Sequence, residues 1–376
     1  MIKMTEKVIV LGSNHYNTIG MVQSLGSEGV YVVAVTIGKA GLLKRSNFVK
    51  EIYEASDFNH AIDIITGEIS HDPPLVIIPC GDEAALMLER NSLRLKKNFL
   101  YQYATTPHMI EQAMNKNFQV QIAKACGLNV PLSYEVDDID NLPNDMIYPC
   151  IIKPLLSCEG DKRNICVARN SIELNKRVKE MLTDTPRVIV QQFIENKEKE
   201  LNILGCAFSN GSCEIPLSIE KLRTYPKGRG SVSVGKVIPL NSKMSLISDQ
   251  IKEMVRSIGF VGLFSVELIV ENFSNKIYFI EMNLRNDALN PFILKAGINL
   301  PYLHYQDLTK QDLKKYLPSS KERKMICEPI HLSSLYHKDI LPLTWLKDII
   351  TSSFMLYNKN DKSVFWHMIL DKFRSK

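Results

Sequence analysis

The residues best suited to chemistry lie in Phe264-Ser265-Val266-Glu267-Leu268-Ile269-Val270 and in Ile277-Tyr278-Phe279-Ile280-Glu281-Met282-Asn283-Leu284-Arg285. Both segments read as strands, and they set Glu267, Glu281 and Asn283 among strongly apolar neighbours. A carboxylate in such surroundings is costly unless it is paired or binds a cation. Glu281 and Asn283 are two apart on one strand, so they share a face. Oxygen donors on one face, with a second carboxylate beside them, suit a hard cation such as Mg²⁺. Glu267 joins that face only if opposed hairpin positions sum to an even number. That parity calls for an odd loop, for example five residues from Asn272 to Lys276 with Glu271 opposite Ile277. An even loop would put the carboxylates on opposite faces. The plainer reading, two edge carboxylates facing water, stays open at this point.

Cationic groups come earlier in the chain. In Tyr148-Pro149-Cys150-Ile151-Ile152-Lys153-Pro154 a lysine ends a buried run, and Pro154 stops the strand. A polar loop, Leu155 to Lys162, follows it. Lys116 opens a helix 37 residues before Lys153. Two lysines and a pair of Mg²⁺ ions would balance the roughly four negative charges of ATP. The strand from Val188 to Glu195 can offer backbone groups to an adenine, and an acid nearby can accept ribose hydroxyls, a signal of weak local specificity. Arg223, Lys227 and Arg229, around Pro226 and Gly228, read as a mobile basic loop suited to an acid or a γ-phosphate. A solvated turn fits the same spacing. Gly230 to Val237 imitates a phosphate-binding loop but is one residue short. Val237 replaces the Ser/Thr of that motif, and Pro239 forbids the helix that should follow.

The elements that must hold these residues are legible in outline. Residues 7–103 alternate apolar strands with amphipathic helices, as a parallel sheet requires. Asp82 is expected to N-cap a helix Glu83–Arg90. His15, in the turn after the first strand, is a ligand candidate or a solvated loop residue. That turn lacks G-x-G-x-x-G, which argues against a dinucleotide-binding dehydrogenase. From Pro107 the pattern changes to two short helices ending at Gly127, then to antiparallel strands and a long helix from Ser242 to Ile258. Both tryptophans lie in the last 52 residues, whose basic amphipathic end is expected to pack on the body of the protein rather than on a membrane. The chain has 376 residues and a net charge of +5, too dilute for non-specific nucleic-acid binding. Its eight cysteines include no C-x-x-C, so neither a zinc site nor a disulfide framework is expected. A cytoplasmic enzyme or binding protein is the starting assumption.

Taken in order, these segments resemble the ATP-grasp superfamily, and within it the carboxylate–amine ligase-like and D-aspartate ligase-like branches. The likeness runs from the first strand to about Asp307. Its most specific part is Glu267 with Glu281-Met282-Asn283-Leu284-Arg285, similar to the family's metal-binding strands and their E-x-N-x-R end. The resemblance implies that Glu267, Glu281 and Asn283 hold Mg²⁺ and that Arg285 steadies a carboxylate during its phosphorylation. It implies phosphate contacts from Lys116 and Lys153 and from Ser157 in the loop beyond. It further implies adenine contacts from Gln191, Phe193 and Ile194, a ribose contact from Glu200, and a substrate loop bearing Arg223 and Arg229. The loop Ser157-Cys158-Glu159-Gly160-Asp161 departs from the family's Gly/Ser-rich pattern, and Gln191 stands where an acid often occurs.

The implied architecture is α/β and α+β. A Rossmann-like parallel-sheet domain spans 1–106, a two-subdomain ATP-grasp fold 107–310, and a short helical extension 311–376. The expected function is an ATP- and Mg²⁺-dependent ligase. A carboxylate becomes an acyl phosphate, an amine attacks it, and ADP and phosphate leave with an amide or peptide bond formed. Activation of bicarbonate, or a degenerate nucleotide-binding module, are the alternatives. Small-molecule acid and amine substrates, and a homodimer as a possible assembly, complete the expectation. No covalent nucleophile is needed, so a Cys158→Ser variant is expected to keep its turnover.

Overall fold

Apolar runs near the N-terminus build one parallel sheet, since each connection carries the chain back to the same end of the sheet before the next strand begins. The computed structural model describes residues 7–69, 74–143, 145–156, 165–196, 200–227, 230–317 and 321–374. The first elements are β1 (Lys7–Ser13), α1 (Tyr16–Gly26), β2 (Tyr31–Ile37), β3 (Val49–Ala55), α2 (Phe58–Gly67), β4 (Leu75–Pro79), α3 (Asp82–Arg90), α4 (Ser92–Leu95) and β5 (Phe99–Tyr101). Their sheet order is β3-β2-β1-β4-β5, parallel throughout. The direction of winding reverses between β1 and β4, where such sheets open a crevice beyond their carboxyl ends. β3 was not legible as a strand, because it is a half-exposed edge with charges at Lys50, Glu51 and Glu54. A correction concerns α3: Gly81 is its N-cap and Asp82 is the first helical residue, its side chain engaged elsewhere.

Next come β6 (Tyr103–Ala104), α5 (Met109–Gln112), α6 (Lys116–Ala125), β7 (Ser133–Val136), β8 (Cys150–Pro154), β9 (Cys166–Ala168), α7 (Ser171–Leu182) and β10 (Val188–Gln192). An antiparallel sheet runs β7-β10-β8-β9. Leu174, Val178 and Met181 of α7 pack on Cys150, Ile152, Val188 and Val190. Alternation then sends Lys153 and Gln191 to the opposite face. Gly127 ends the α6 segment at φ +83, the left-handed cap its sequence predicts.

The remaining elements are β11 (Glu200–Ala207), β12 (Cys213–Glu214), β13 (Leu217–Tyr225), β14 (Ser231–Pro239), α8 (Ser242–Ser257), β15 (Phe260–Val270), β16 (Ile277–Asn283), α9 (Asn290–Lys295), α10 (Leu300–Leu308), β17 (Arg323–Ile326), α11 (Glu328–Tyr336), α12 (Pro342–Thr351), β18 (Ser353–Phe354) and α13 (Lys362–Arg374). A large sheet follows the path β16-β15-β11-β13-β14-β17-β18. α8 closes one face, burying Met244, Ile251 and Met254 with Ile203, Phe264, Val266 and Leu268. The segment that imitates a phosphate loop is the extended strand β14, which removes that reading. No helix among the described residues is long and apolar enough to cross a membrane. The seven described cysteines are free thiols.

The C-terminal segment differs from a simple helical appendage. β17 pairs with β14, β18 pairs with β17, and α13 then buries Val364, Phe365 and Met368 in the core shared with α1 and the first sheet. Asp361, fully buried, accepts hydrogen bonds from Ser46 Oγ (2.8 Å), Asn47 N (2.7 Å) and Gln23 Nε2 (3.2 Å). The segment is thus a strap that ties the large sheet to the N-terminal domain. Replacing that carboxylate orphans three donors, of which Ser46 Oγ and Gln23 Nε2 are buried. Asp361→Ala is therefore expected to cost about 3 kcal/mol. Urea unfolding of the variant measures it, and a loss below about 0.5 kcal/mol would show that the strap does not depend on this group.

Candidate active site

The hairpin of β15 and β16 places Glu267 directly opposite Glu281, so both carboxylates share a face. The route to that parity differs from the one the sequence suggested. Val270, not Glu271, stands opposite Ile277, and the ladder near the turn has the wrong parity for a shared face. A bulge between Leu268–Phe279 and Glu267–Glu281 inserts Ile280 and reverses it. Phe279 and Met282, three apart, are consequently both buried against α8, and Glu281 and Asn283 turn to the other face. Asn202 of β11 lies opposite Glu267 on its second side. The Asn202 side chain is 2% exposed, and its Oδ1 has no hydrogen-bond partner among the described residues. The donors gathered here are therefore two carboxylates and two amides. No set of three or more His, Cys, Asp or Glu among the described residues forms a metal cage alone.

A lysine that sequence reasoning missed occupies the same face. Lys221 of β13 stands opposite Glu200, and its Nζ lies 3.0 Å from both Glu200 Oε2 and Glu267 Oε2. Burial alone would lower its pKa, but Glu267 and Glu200 outweigh burial and hold it protonated well above the lysine range. Nothing local marks Lys221, because its role follows from strand neighbours that sequence spacing does not reveal.

Lys116 and Lys153 reach this face from the smaller sheet. Lys116 is the first residue of α6, behind the N-cap Asn115, whose Oδ1 accepts from Asn117 N and Phe118 N. The Lys116 backbone N–H donates to Leu155 O at 3.0 Å, fastening the helix start to the end of β8. Its Nζ lies 3.8 Å from Glu281 Oε1. Lys153 donates to Gln191 Oε1 at 3.1 Å. Burial lowers the Lys153 pKa; Glu281 opposes that shift, and Lys116 adds to it.

The adenine set is only partly brought together. The Gln191 side chain lies between Lys153 and Ser133 Oγ (2.9 Å), so here it positions a lysine instead of facing a base. The Phe193 N–H is taken by Pro149 O at 3.0 Å, and Ile194 is buried. Ser157, Cys158 and Arg229 lie outside the described residues, as does most of the loop after Lys153.

Both described arginine candidates are already engaged. Arg223 belongs to strand β13 and not to a mobile loop, and it pairs with the buried Asp348 of α12, which also holds Lys324 at 2.7 Å. Arg285 lies near the ends of β1 and β4, beside His15 and Asp82. Its Nε and Nη2 donate to Asp82 Oδ1 (3.0 Å) and Oδ2 (3.3 Å). His15 lies beside it, N-capping α1 through Nδ1, and burial followed by Arg285 lowers the His15 pKa.

The ion triplet around Lys221 has a measurable consequence. Lys221→Met removes two charge-assisted bonds and leaves two carboxylates facing each other. A loss of about 1–3 kcal/mol in stability is expected, read by urea unfolding. A variant as stable as the parent would show that the triplet is not a structural pair.

Residues 113–288 match the ATP-grasp domain family. The large chain of carbamoyl phosphate synthase from Pseudothermotoga lettingae is 22% identical over 367 residues, 90% of this chain but 31% of that protein. This chain thus spans about a third of the length of that curated relative. Among solved structures, the N5-carboxyaminoimidazole synthetase of Staphylococcus aureus superposes with a TM-score of 0.69, at 17% identity over 90% of this chain and 86% of that one. The L-amino acid ligase of Bacillus licheniformis gives 0.63, at 17% identity over 86% and 80%. Residues 113–288 are therefore similar to an ATP-grasp domain, and with the parallel α/β domain before them they adopt the fold those two structures share.

Proposed function

We propose that the chain is an ATP-dependent ligase that activates a carboxylate as an acyl phosphate and joins it to an amine, releasing ADP and phosphate. One observation carries this reading. The directly opposed Glu267 and Glu281 share a sheet face with Asn202, Asn283, Glu200 and Lys221, and Lys116 and Lys153 reach that face from the neighbouring sheet. Three lysines and three glutamates balance in charge there. An arriving triphosphate takes over the ammonium groups of Lys116, Lys153 and Lys221. The carboxylates they release, with Asn283, would hold Mg²⁺, and the all-oxygen donor set suits that ion. Bound there, Mg²⁺ would neutralise charge on the phosphates.

The residues of the chain then have separable tasks. Glu200 is freed from Lys221 to accept ribose hydroxyls. Lys116 and Lys153 hold the phosphates in line, Lys153 being oriented by Gln191. Phe193 and Ile194 border the adenine. Arg285 and Arg223 bind and orient the acid, where charge neutralisation and positioning lower the barrier without a covalent nucleophile.

ADP release, measured with a panel of amino acids and other carboxylates beside simple amines, tests the proposal directly. Turnover that requires both an acid and an amine supports it. Turnover with bicarbonate as the sole carboxylate would replace it with carboxylate activation of that kind. Tight nucleotide binding without turnover under any acceptor would overturn catalysis altogether. Glu281→Gln is expected to lower kcat by about 10²–10³.

The lowered Lys153 pKa sets a pH limb. The ammonium binds phosphate and the neutral amine does not, so ADP affinity falls as pH rises through a value below the ordinary lysine range. Lys153→Arg stays charged and is expected to flatten that limb. An equally steep loss in the arginine variant would assign the limb to another group.

A further inference from the structure

Arg285 is the residue to which the ligase reading gives the substrate's carboxylate, and in this structure its fork is full. Nε and Nη2 grip both oxygens of Asp82, the two-point geometry that a substrate carboxylate would adopt. Nη1 donates to Asn286 O at 3.3 Å and reaches Asp287 Oδ2 at 3.5 Å. The two carboxylates are not equivalent. Asp287 is pinned by Leu289 N on Oδ1 and by Ser265 Oγ on Oδ2, each at 2.8 Å. The Asp82 carboxylate has no hydrogen bond except to Arg285 among the described residues.

Asp82 also has somewhere to go. It is the first residue of the nine-residue helix α3, where unpaired N–H groups and the helix dipole favour an anion. Its side chain keeps 24% exposure and that of Arg285 16%, so water and small ions reach the pair. Asp82 and Asn283 line one narrow crevice with Met114, Met282 and Leu284. The contact therefore adjoins the site of proposed phosphoryl transfer, and it joins residues 203 apart in the chain.

We propose that Asp82 is a resident carboxylate that holds the substrate acid's place on Arg285 and is displaced when the acid arrives, so that it sets how tightly the acid is held. This rests on the ligase reading for the identity of the incoming group. Asp82 is a positioning residue: it acts through Arg285 and does not touch the reacting atoms. Between substrates, it keeps the guanidinium in place at the domain junction.

The sign of the effect separates this role from a purely structural tie. A structural tie predicts that weakening it disorders Arg285 and raises the KM for the acid. Place-holding predicts the reverse, because a competitor is removed. The probe is sodium formate, titrated into the full-length ¹³C,¹⁵N-labelled protein at constant ionic strength. The Arg285 Nε–Hε signal is followed, with Arg285→Lys assigning it.

In Asp82→Asn the half-saturating formate concentration is expected to fall about tenfold, equivalent to about 1.4 kcal/mol. An unchanged or higher concentration overturns the proposal. Should the variant fold poorly, the parent decides. Formate must move the Asp82 side-chain carboxyl ¹³C signal together with that of Arg285, and a shift at Arg285 alone overturns the exchange. With any acid that supports ADP release, Asp82→Asn should lower the KM for that acid and leave the KM for ATP in place. The formate titration needs no turnover, so its failure and failure of the ligase reading are distinguishable.

Discussion

Under the proposed reading the site takes a polyanion and a cation, yet it must remain folded when neither is present, and that constraint shapes the constellation. Isolated charges at this level of burial would cost several kcal/mol each. The protein offsets the cost by pairing ligand-binding groups with one another. Lys221 bridges Glu200 and Glu267, and Lys116 approaches Glu281. Each ion pair links a candidate phosphate partner to a candidate ribose or cation partner. Binding then becomes an exchange of partners, which avoids the separate desolvation of new charges.

The fold brings those partners into register by nonlocal means. The smaller sheet sends Lys153 away from α7 because its alternate residues belong to the core beneath that helix. The large sheet sends Glu200, Asn202, Glu267, Glu281 and Asn283 away from α8 for the same reason. A single bulge at Ile280 decides whether Glu281 serves or opposes the site. The start of α6 is then fastened to the end of β8, so two lysines from different elements converge.

What the sequence disclosed and what it concealed divide along that line. Polar residues embedded in apolar strands were visible, because burial without a partner is chemically improbable. Glu267, Glu281 and Asn283 stood out for that reason, and Lys153 did at the end of its strand. The parallel N-terminal sheet and the Gly127 cap followed from periodicity and backbone freedom. Ile280 looks like any strand residue, and no local rule assigns it a bulge. Lys221 needs knowledge of which strands are neighbours. Asp82 satisfied a local capping rule, yet Arg285 claimed its side chain, because a charge-assisted fork is stronger than one cap bond. β3 was hidden by the charges that suit an exposed edge.

The flanking regions extend the same electrostatic logic beyond the central domain. Arg285 is held by Asp82 of the N-terminal domain, and Arg223 by Asp348 of the C-terminal segment. Each arginine therefore reports on the position of a separate part of the chain. A ligand that withdraws either guanidinium from its resident carboxylate also loosens a contact between regions. The Asp361 cluster does not take part in that exchange, since its donors are backbone and neutral side-chain groups of the N-terminal domain. One set of contacts can thus change partners while another keeps the domains in place. On the proposed reading, that division would let an acid enter at the junction without unfolding it.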